Sequence, residues 1–600
     1  MRQHNLNLWP IGNCQVSALV DDAAGMVWGC QPQVDGDPLF CSLLEPKGEG
    51  RPGMPRGEWR FVLEKQVSAE PRYDGNSPIL VTRLTDADGG AVDVYDFCPR
   101  FMQSGRPYRP VAFARIVRPV TGGPRLSVRL NPATHWGAED ADRTRGSNHV
   151  RYLTAPAPLR VSTDAPVGRV LDGRPFRVER DLAFFLGADE SFSGAIGPTV
   201  ARMMDKTKRH WMRWVRGLAI PLDWQDIVIR CAIALKLCQH EETGAIVAAL
   251  TTSIPEAPGS QRNWDYRYCW IRDAYYTVQA LNRLGALDVL EGYLYYLRDL
   301  VDGAEGEEIQ PLYGVAGNSR LDEGIAEALA GYRGMGPVRI GNAAFTQAQH
   351  DAYGQIVLSN AQAFFDQRLF RSGDENDFHQ LEAIGEMAVE KFDRPDAGLW
   401  EFRTRASVHT YSSVMCWAAC DRLANIAERL GLSDRQRYWT DHARQIRAVI
   451  EERAWNEDKG RFSAIFDGDE LDASLLQLVD MRFLPADDPR FRATLEAVEE
   501  GLRHGDQMLR YASEDDFGLP ETAFNFCTFW LIEALHRVGR DAEARDLFEA
   551  TLERLTPACL LSEDTDVKTG ELWGNYPQTY SLVGLINCAG LLSRPWSSVR

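Results

Sequence analysis

The chain has 600 residues, more than one hydrophobic core usually organises, so at least two domains are expected. Charged residues make up 25% of it and apolar residues 44%, the ordinary composition of a globular protein. The net charge of −19 argues against nucleic acid or an anionic membrane surface as a partner. Neutral ligands such as sugars remain, and sixteen tryptophans are enough to supply flat apolar platforms for them.

The twelve cysteines are scattered, with no CxxC pair and no Cys/His cluster at zinc spacing. We therefore expect buried thiols, no metal site and a reducing, cytoplasmic location. The first fourteen residues, MRQHNLNLWPIGNC, lack an apolar run after the charge, so no secretory signal is expected. No apolar run reaches eighteen residues, so no membrane-spanning helix is expected either.

The first two hundred residues alternate between short β-branched or aromatic runs and turn clusters. "WRFVLEKQV", "ILVTRLTD", "AVDVYDFC" and "RLSVRLNP" are typical runs, and "DADGG" and "TGGP" are typical separators at hairpin spacing. Many short strands with such turns predict an antiparallel β-sandwich. We assign this domain to residues 1–202.

The hydrophobic period changes at about Met203. "MMDKTKRHWMRWVRGLA" predicts a helical linker over residues 203–222, and about a dozen helical segments follow over residues 223–600. Their apolar residues recur at spacings of three and four, as at Val414, Trp417 and Ala418. No fixed sequence repeat appears, so the pattern favours paired helices closed into an all-α barrel over an open solenoid. Aromatic-rich loops would gather at one end and form a pocket.

The segment "NWDYRYCWIRDAYYTVQAL" is the densest aromatic stretch of the chain. Arg272 and Asp273 lie where its loop gives way to a helix. Asp273 could be the helix N-cap with Arg272 solvated beside it. Alternatively, both side chains reach into a pocket and bind sugar hydroxyls, with Trp270 as a stacking wall. The residues alone leave both interpretations open.

Two further loops carry acids. In "GLWEFR", Glu401 follows Trp400 directly, so it either points to solvent or is kept protonated by apolar surroundings that raise its pKa. The loop "LLSEDTDVKTGELWGNYPQTYSLVGL" carries Glu563 and Asp564. Acid runs in loops are usually solvated, and this one lacks the glycine and final glutamate of an EF-hand calcium loop.

"WIRDA", "GLWEFR" and "SEDTD", in this order on an apparent α/α barrel, resemble glycoside hydrolase family 15. That family holds glucoamylases, glucodextranases and bacterial trehalases. The resemblance implies an (α/α)6 toroid of six helical hairpins, preceded by a β-sandwich. "IGNCQVSALVDDAAGMVWGCQPQVDGDPLF" resembles the start of the sandwich domain of the trehalase-like bacterial members, so the resemblance covers nearly the whole chain.

The resemblance also implies roles for individual residues. Glu401 matches the family's general acid, and Glu563 matches its general base. The "W-x-R-D" block implies contacts to the non-reducing-end glucose, and the arginine of "LRY" a position near the glucose or the leaving group. The residues predicted to bind substrate are Trp270, Arg272, Asp273, Trp400 and Arg510.

Three positions depart from the family pattern. Bacterial relatives commonly read SEE where this chain has Asp564 as the third residue. They commonly carry histidine at the position of Leu582 and aspartate at the position of Ala316. None of these departures removes the two predicted catalytic carboxylates. They leave the leaving-group side of the pocket, and hence the substrate, open.

The resemblance predicts an exo-acting, inverting hydrolase of an α-glucoside that releases β-D-glucose and needs no cofactor. Trehalose or a short α-gluco-oligosaccharide is the expected substrate. A sugar phosphorylase on a similar scaffold is one alternative, in which phosphate would take the place of the base. A non-catalytic sugar-binding protein is another, although a mere binder does not need both acids. The sequence allows a homo-oligomer and does not determine one.

Overall fold

The computed structural model describes residues 4–48, 50–303 and 308–599. The first three residues of the predicted sandwich domain and the last residue of the predicted barrel lie outside that part of the chain. Antiparallel strands occupy the chain as far as Ala188, and helices dominate from Ile196 onward. Within the described ranges, no helix is both long and apolar enough to cross a membrane.

Nineteen strands are described in the first part of the chain. Their bounds are β1 (Leu8–Gly12), β2 (Ser17–Asp21), β3 (Gly25–Gln31), β4 (Asp37–Phe40), β5 (Glu58–Leu63), β6 (Gln66–Tyr73), β7 (Leu80–Asp86), β8 (Ala91–Phe97), β9 (Phe101–Gln103), β10 (Arg106–Tyr108), β11 (Phe113–Thr121), β12 (Arg125–Asn131), β13 (Ala133–Thr134), β14 (Glu139–Asp140), β15 (Asp142–Arg145), β16 (His149–Leu153), β17 (Leu159–Thr163), β18 (Phe176–Arg177) and β19 (Leu182–Ala188).

These strands form two main sheets. One has the order β1-β2-β3-β5-β12-β18, with β4 added at β3, and the other has the order β15-β16-β17-β19-β11-β8-β7-β6. Aromatic rings join their inner faces: Phe40 and Phe113 lie 5.7 Å apart, and Phe61 and Phe184 lie 5.2 Å apart between ring centroids. The predicted antiparallel, sandwich-like pair of sheets is confirmed.

The helices follow the sheets, apart from one short helix between strands. Their bounds are α1 (Val167–Asp172), α2 (Ile196–Arg216), α3 (Gln225–Cys238), α4 (Ile271–Arg283), α5 (Leu287–Gly303), α6 (Asp351–Ala361), α7 (Glu375–Lys391), α8 (Thr410–Leu430), α9 (Ser433–Arg453), α10 (Gln477–Asp480), α11 (Pro489–Leu502), α12 (Asn525–Arg537), α13 (Asp541–Leu552) and α14 (Thr579–Leu592). The joining helix α2 thus begins before the predicted residue 203.

Short strands and 3-10 turns complete the structure, most of them in the loops between helices. The strands are β20 (Cys269–Trp270), β21 (Leu312–Tyr313), β22 (Gly324–Ile325), β23 (Arg339–Ile340), β24 (Trp455–Asn456), β25 (Arg461–Phe462), β26 (Arg503–His504), β27 (Gln507–Met508), β28 (Ala523–Phe524), β29 (Asp564–Thr565) and β30 (Leu572–Trp573). The 3-10 turns are Ser42–Leu44, Ala343–Thr346, Gln362–Phe364, Ala473–Leu476 and Trp596–Val599.

Alternate helices pack on one another in a fixed succession. Helix α4 contacts α6, α6 contacts α8, α8 contacts α10, α10 contacts α12, α12 contacts α14, and α14 returns to α4. The intervening helices flank this inner set: α5 packs on α4, α9 on α8, and α13 on α12 and α14. The loops that lead into the inner helices therefore lie together at one end of the helical part.

Composition explains which helices lie inside. The inner helix α14 reads TYSLVGLINCAGLL and is buried over most of its length, whereas α9 alternates buried and exposed positions. Glycines let the inner helices approach closely. A Cβ at Gly354 in α6 would lie 2.3 Å from the backbone oxygen of Met415 in α8. A Cβ at Gly584 in α14 would collide with the ring of Phe529 in α12 at 2.2 Å.

One extended segment of the helical part, residues 264–270, docks on the sheets. Arg267 forms a fully buried ion pair with Asp265 at 2.7 Å. The same guanidinium donates to the carbonyl oxygen of Gly36 at 2.7 Å and lies over the Trp136 ring at 4.7 Å, both within the sandwich. Since a buried guanidinium needs all of these partners, this contact fixes the segment against the first domain.

We expect Arg267→Ala to destabilise the protein by about 3–5 kcal/mol, because it leaves the Asp265 carboxylate buried without a charge partner. Arg118→Ala is the matched control, since Arg118 pairs with Asp181 on the exposed surface of the sandwich. That variant should lose less than about 1 kcal/mol. Chemical denaturation of both variants checks the difference, and equal losses would contradict it.

Candidate active site

All seven residues predicted from the sequence line one pocket, which encloses about 870 Å³ including solvent at its mouth. The pocket lies at the end where the inner helices begin, so the positive ends of their dipoles face it. The seven residues are Trp270, Arg272, Asp273, Trp400, Glu401, Arg510 and Glu563.

The first turn of α4 supplies two of these side chains. Trp270 occupies the N-cap position, so the interpretation of Asp273 as the N-cap is wrong, and Arg272 and Asp273 are both buried in the first turn. Arg272 donates to the Tyr580 hydroxyl at 2.8 Å and to the Gln349 amide oxygen at 2.7 Å. Burial raises the pKa of Asp273 to about 7, with the Arg272 charge opposing and the Glu401 charge adding to the shift.

The segment before α4 forms a wall of the pocket. Trp264, Tyr266 and Trp270 all line it, and their spacing of two or four residues is that of an extended chain. Backbone bonds to residues 248–253 hold the segment extended. Tyr266 and Trp264 were not among the predicted site residues. The period-two alternation of aromatic residues in "NWDYRYCW" was the signal that could have identified them.

Glu401 lies in the loop between α7 and α8, with a left-handed backbone at φ 60°. Few residues other than glycine adopt this conformation, and it is often found at functional sites. Gly398 starts the turn at φ 65°, and its carbonyl oxygen accepts from the Glu401 N–H at 3.1 Å. A side chain at Gly398 would meet the His409 ring at 2.7 Å. The "GLWE" stretch is therefore a tight turn that aims Glu401 into the pocket.

One carboxylate oxygen of Glu401 receives three donors. Its Oε1 accepts from the indole N–H of Trp270 at 2.6 Å, from Arg272 at 3.1 Å and from Gln349 at 3.3 Å. The side chain remains 23% exposed, toward the pocket. The indole bonded to this carboxylate is that of Trp270. The neighbouring Trp400 instead donates its N–H to Asp472, whose pKa burial raises to about 6.

Glu563 is in a different environment. It is only 2% exposed, and its Oε1 accepts from the Tyr266 hydroxyl at 2.7 Å. Burial raises its pKa well above the usual range, and the charges of Asp564 and Glu256 add to that shift. The Tyr266 hydrogen bond and the Arg510 charge oppose it.

Arg510 meets a carboxylate that sequence reasoning missed. It donates to Glu256 Oε2 at 2.8 Å, while the Trp264 indole donates to the other oxygen at 2.9 Å. Glu256 lies in "IPEAP", a stretch without any distinguishing pattern, so only the fold identifies it. Gln349 and Tyr580 were missed for the same reason: each lies far along the chain from the Arg272 that it contacts.

The three departures from the family pattern fall in different places. Ala316 is exposed in a loop, Leu582 is fully buried within α14, and neither lines the pocket. Asp564 is buried directly beside Glu563 and also lies outside the lining. The first two departures therefore do not alter the pocket surface. Among the residues that the structure describes, no His, Cys, Asp and Glu side chains form a group of three suited to a metal ion.

The acidic run "SEDD", residues 513–516, builds the rim of the pocket. Asp515 accepts hydrogen bonds from both terminal nitrogens of Arg262, and Asp516 accepts one from the backbone N–H of Arg403 at 2.6 Å. Phe517 packs edge-on against Trp264 with ring centroids 5.3 Å apart. The arrangement as a whole combines carboxylates, guanidinium groups and aromatic faces in one concave site, which suits a neutral ligand rich in hydroxyl groups.

We expect Asp273 to make stability depend on pH. Its pKa rises from near 4 in the unfolded chain to about 7 in the folded one, so the folded state holds an extra proton in that window. Its contribution to stability is therefore lost as the pH rises through that window. Asp273→Asn should flatten this decline by on the order of a few kcal/mol, measured by unfolding between pH 4.5 and 7.5. The exposed control Asp434→Asn should leave the slope unchanged; a flattening there too would refute the assignment.

Comparison with known proteins agrees with this geometry. The family model described as Glycosyl hydrolases family 15 matches residues 223–590. The trehalase of Mycobacterium tuberculosis is 32% identical over 96% of this chain and 88% of its own length. The trehalase of Mycolicibacterium smegmatis is 31% identical over 96% of this chain and 89% of its own, and that of Thermoplasma volcanium is 29% identical over 96% and 92%.

The fold has a counterpart among solved structures. The crystal structure of a bacterial glucoamylase complexed with acarbose superposes with a TM-score of 0.70, over 98% of this chain and 94% of that one. Its sequence is 13% identical, so this likeness concerns the fold alone. The family match covers more than half of the chain, and the relatives extend it through the sandwich. The chain therefore belongs to glycosyl hydrolases family 15 and is a glycoside hydrolase.

Proposed function

We propose that this protein is an exo-acting, inverting hydrolase that releases β-D-glucose from an α-glucoside, with trehalose as the foremost substrate. The observation that carries the proposal is the placement of Glu401 and Glu563 in one pocket, in unlike surroundings. The match to proteins named trehalase over nearly their whole length supports trehalose in particular. A short α-gluco-oligosaccharide is the other substrate that we propose within the α-glucosides.

Glu401 acts as the general acid. Its Oε1 already accepts from three donors, Trp270, Arg272 and Gln349, so the proton must sit on Oε2. As the glycosidic bond breaks, that proton passes to the departing oxygen and Glu401 becomes a carboxylate. The same three donors then stabilise the new charge without having to reorganise.

Glu563 acts as the general base. It takes a proton from the water that attacks the anomeric carbon, so the C–O bond forms as the water O–H bond breaks. The hydroxyl of Tyr266 orients the carboxylate by holding Oε1. Because burial raises its pKa, Glu563 binds the incoming proton strongly once it is ionised. Inversion requires the two carboxyls to stand about 6.5–9.5 Å apart, with that water between them.

The remaining predicted residues bind the sugar. Arg272 and Asp273 take the hydroxyls of the non-reducing-end glucose, and the indoles of Trp270 and Trp400 supply apolar faces. Arg510 lies near the glucose or the leaving group. A pocket closed by the N-terminal turns of the inner helices accepts a chain end, which accounts for exo action.

We also propose the finer architecture. The return of α14 to α4 supports an (α/α)6 toroid, with α4, α6, α8, α10, α12 and α14 as its inner ring. We divide the chain into a sandwich domain at residues 1–202, a helical linker at 203–222 and a catalytic domain at 223–600. Twelve free cysteines, eleven of them buried, fit a reducing cytoplasm. Hydrolysis by two carboxyls needs no cofactor.

The alternatives fit the site less well. A phosphorylase would need a phosphate where Glu563 stands, and the charges of Asp564 and Glu256 already raise the pKa of Glu563 there. The guanidinium of Arg510, which acts on Glu563, is already paired with Glu256. The net negative charge of this group of carboxyls repels a phosphate dianion.

Proton NMR with a panel of α-glucosides tests the proposal. Trehalose, maltose, isomaltose, kojibiose, nigerose and maltodextrin are each incubated with and without phosphate. We expect trehalose to be consumed first, without phosphate, and to give equal initial amounts of β-glucose from the attacked ring and α-glucose from the departing ring, whose own C1–O bond is not broken. The other α-glucosides should release their non-reducing-end glucose as the β-anomer. Consumption of sugar only when phosphate is present would establish a phosphorylase instead, and α-glucose as the sole initial product of trehalose would exclude inversion.

The catalytic roles are tested by two isosteric variants. We expect Glu401→Gln and Glu563→Gln each to lower kcat by at least about 10²–10⁴-fold, because each removes a positioned proton donor or acceptor. Glu500→Gln, an exposed position on the outer helix α11, is the control and should retain full activity. A variant of the pair that keeps wild-type turnover would remove that residue from the mechanism.

A further inference from the structure

Two buried carboxylate oxygens behind the pocket have no hydrogen-bond partner among the described residues. They are Oε2 of Glu563 and Oδ2 of Asp564. A Cβ built on Gly574 would lie 2.9 Å from the first and 3.1 Å from the second. Both oxygens thus face one small space, which exists because residue 574 has no side chain.

The backbone around this space is tightly held. Gly574 has a φ of 74°, and its N–H donates to the Pro255 carbonyl oxygen at 2.8 Å. Asp564 pairs within the three-stranded sheet β28-β29-β30, and its other oxygen, Oδ1, accepts from the Thr522 hydroxyl at 3.1 Å. Both carboxyls therefore face the same small space and are buried away from solvent.

Among the residues that the structure describes, no cation is free to compensate two negative charges here. Arg510 pairs with Glu256, and Arg262 pairs with Asp515. Within the described part of the chain, neither Glu563 nor Asp564 has a lysine or arginine at ion-pair distance. The titratable and charged groups that face the pair from the surrounding elements are Glu256, Arg262, Tyr266, Arg510 and Cys527.

Two adjacent charges in such a place are strongly unfavourable. Each carboxyl is only 2% exposed, and burial raises the pKa of both, with the Glu256 charge adding to each shift. When two carboxyls share a buried site, one proton normally stays between them. A proton held on one of them also provides the missing donor for the other's unpartnered oxygen.

We propose that Glu563 and Asp564 share one proton across the space over Gly574, and that Asp564 is a positioning residue that keeps this proton and directs it at Glu563 Oε2. The inference rests on the proposed role of Glu563 as the base. Asp564 stays neutral through the reaction, so the pair carries one negative charge before hydrolysis and none after it.

The step balances with this assignment. The attacking water forms its bond to the anomeric carbon and gives one proton to Glu563, whose Oε1 keeps a lone pair besides the one that accepts from Tyr266. The glycosidic oxygen leaves with the proton of Glu401. Asp564 donates a hydrogen bond to Oε2 of Glu563. This bond keeps the negative charge of Glu563 on the oxygen that faces the pocket until the water attacks.

Infrared spectroscopy of the protein without substrate tests the proton directly. We expect the difference spectrum between the wild-type protein and Asp564→Asn at neutral pH to show the loss of one carboxylic-acid C=O band, which Asp564→Glu restores; the difference removes the bands of other protonated carboxyls, such as those of Asp273 and Asp396. Persistence of that band in Asp564→Asn, with its loss in Glu563→Gln, would place the proton on Glu563 and overturn the assignment. This measurement needs no turnover, so it stands even where no α-glucoside is hydrolysed and the proposed function itself fails.

The acid limb of the kcat–pH profile gives the second readout. Asp564→Ala removes the donor, so the limb should move up by about one pH unit, whereas Asp564→Asn keeps a donor and should leave it nearly in place. If Asp564 were a second negative charge, both variants would move the limb down. Lower kcat without any movement of the limb in Asp564→Ala would indicate a merely structural role and equally overturn the proposal.

A matched control separates this effect from the general loss of a buried acid. Asp396 is equally buried, its pKa is raised by burial to about 7, and it does not line the pocket. Asp396→Asn should leave the acid limb in place. If Asp564→Ala fails to fold, as judged by circular dichroism, the comparison of Asp564→Asn with Asp564→Glu decides the question by the same two readouts.

Discussion

The alternation of residues 264–270 between two faces is the constraint on which the site depends. One face carries Asp265 and Arg267, whose buried ion pair is anchored in the sandwich domain. The other face carries Trp264, Tyr266 and Trp270 into the pocket. Because an extended chain sends neighbouring side chains to opposite sides, fixing one face fixes the other. The sandwich domain thus takes part in building the site, because it anchors this segment.

The pocket then places two glutamates in opposite circumstances. Glu401 keeps an opening to solvent and meets Trp270, Arg272 and Gln349 with a single oxygen, which leaves the other oxygen free for a proton. Glu563 is sealed among acids and has Tyr266 as its donor. Two groups of one chemical type acquire separate roles from their surroundings, as paired carboxyls in hydrolases do. The left-handed turn at Glu401 is part of that arrangement, since it points the side chain inward.

With a net charge of −19, the protein has to compensate the negative charges of the acidic side chains near the site. At the rim, acids are neutralised by arginines: Asp515 by Arg262, and Glu323 by Arg339 and Arg403. Behind the base, no arginine of the described part of the chain is left over, and a carboxyl must be neutralised by a proton instead. Negative charge is therefore compensated by ion pairs at the mouth of the pocket and by a shared proton in the interior.

The sequence by itself determined the order of the two architectures, because periods of two and of three to four residues are local properties of a chain. It also identified the seven residues that meet in the pocket, because four short motifs carry them. It did not identify Glu256, Gln349 or Tyr580, which lack a local pattern. Only the tertiary structure decided which indole meets Glu401, how deeply Glu563 is buried and what Asp564 faces. These properties arise when loops hundreds of residues apart converge, and burial and hydrogen bonding depend on that convergence rather than on neighbours in the chain.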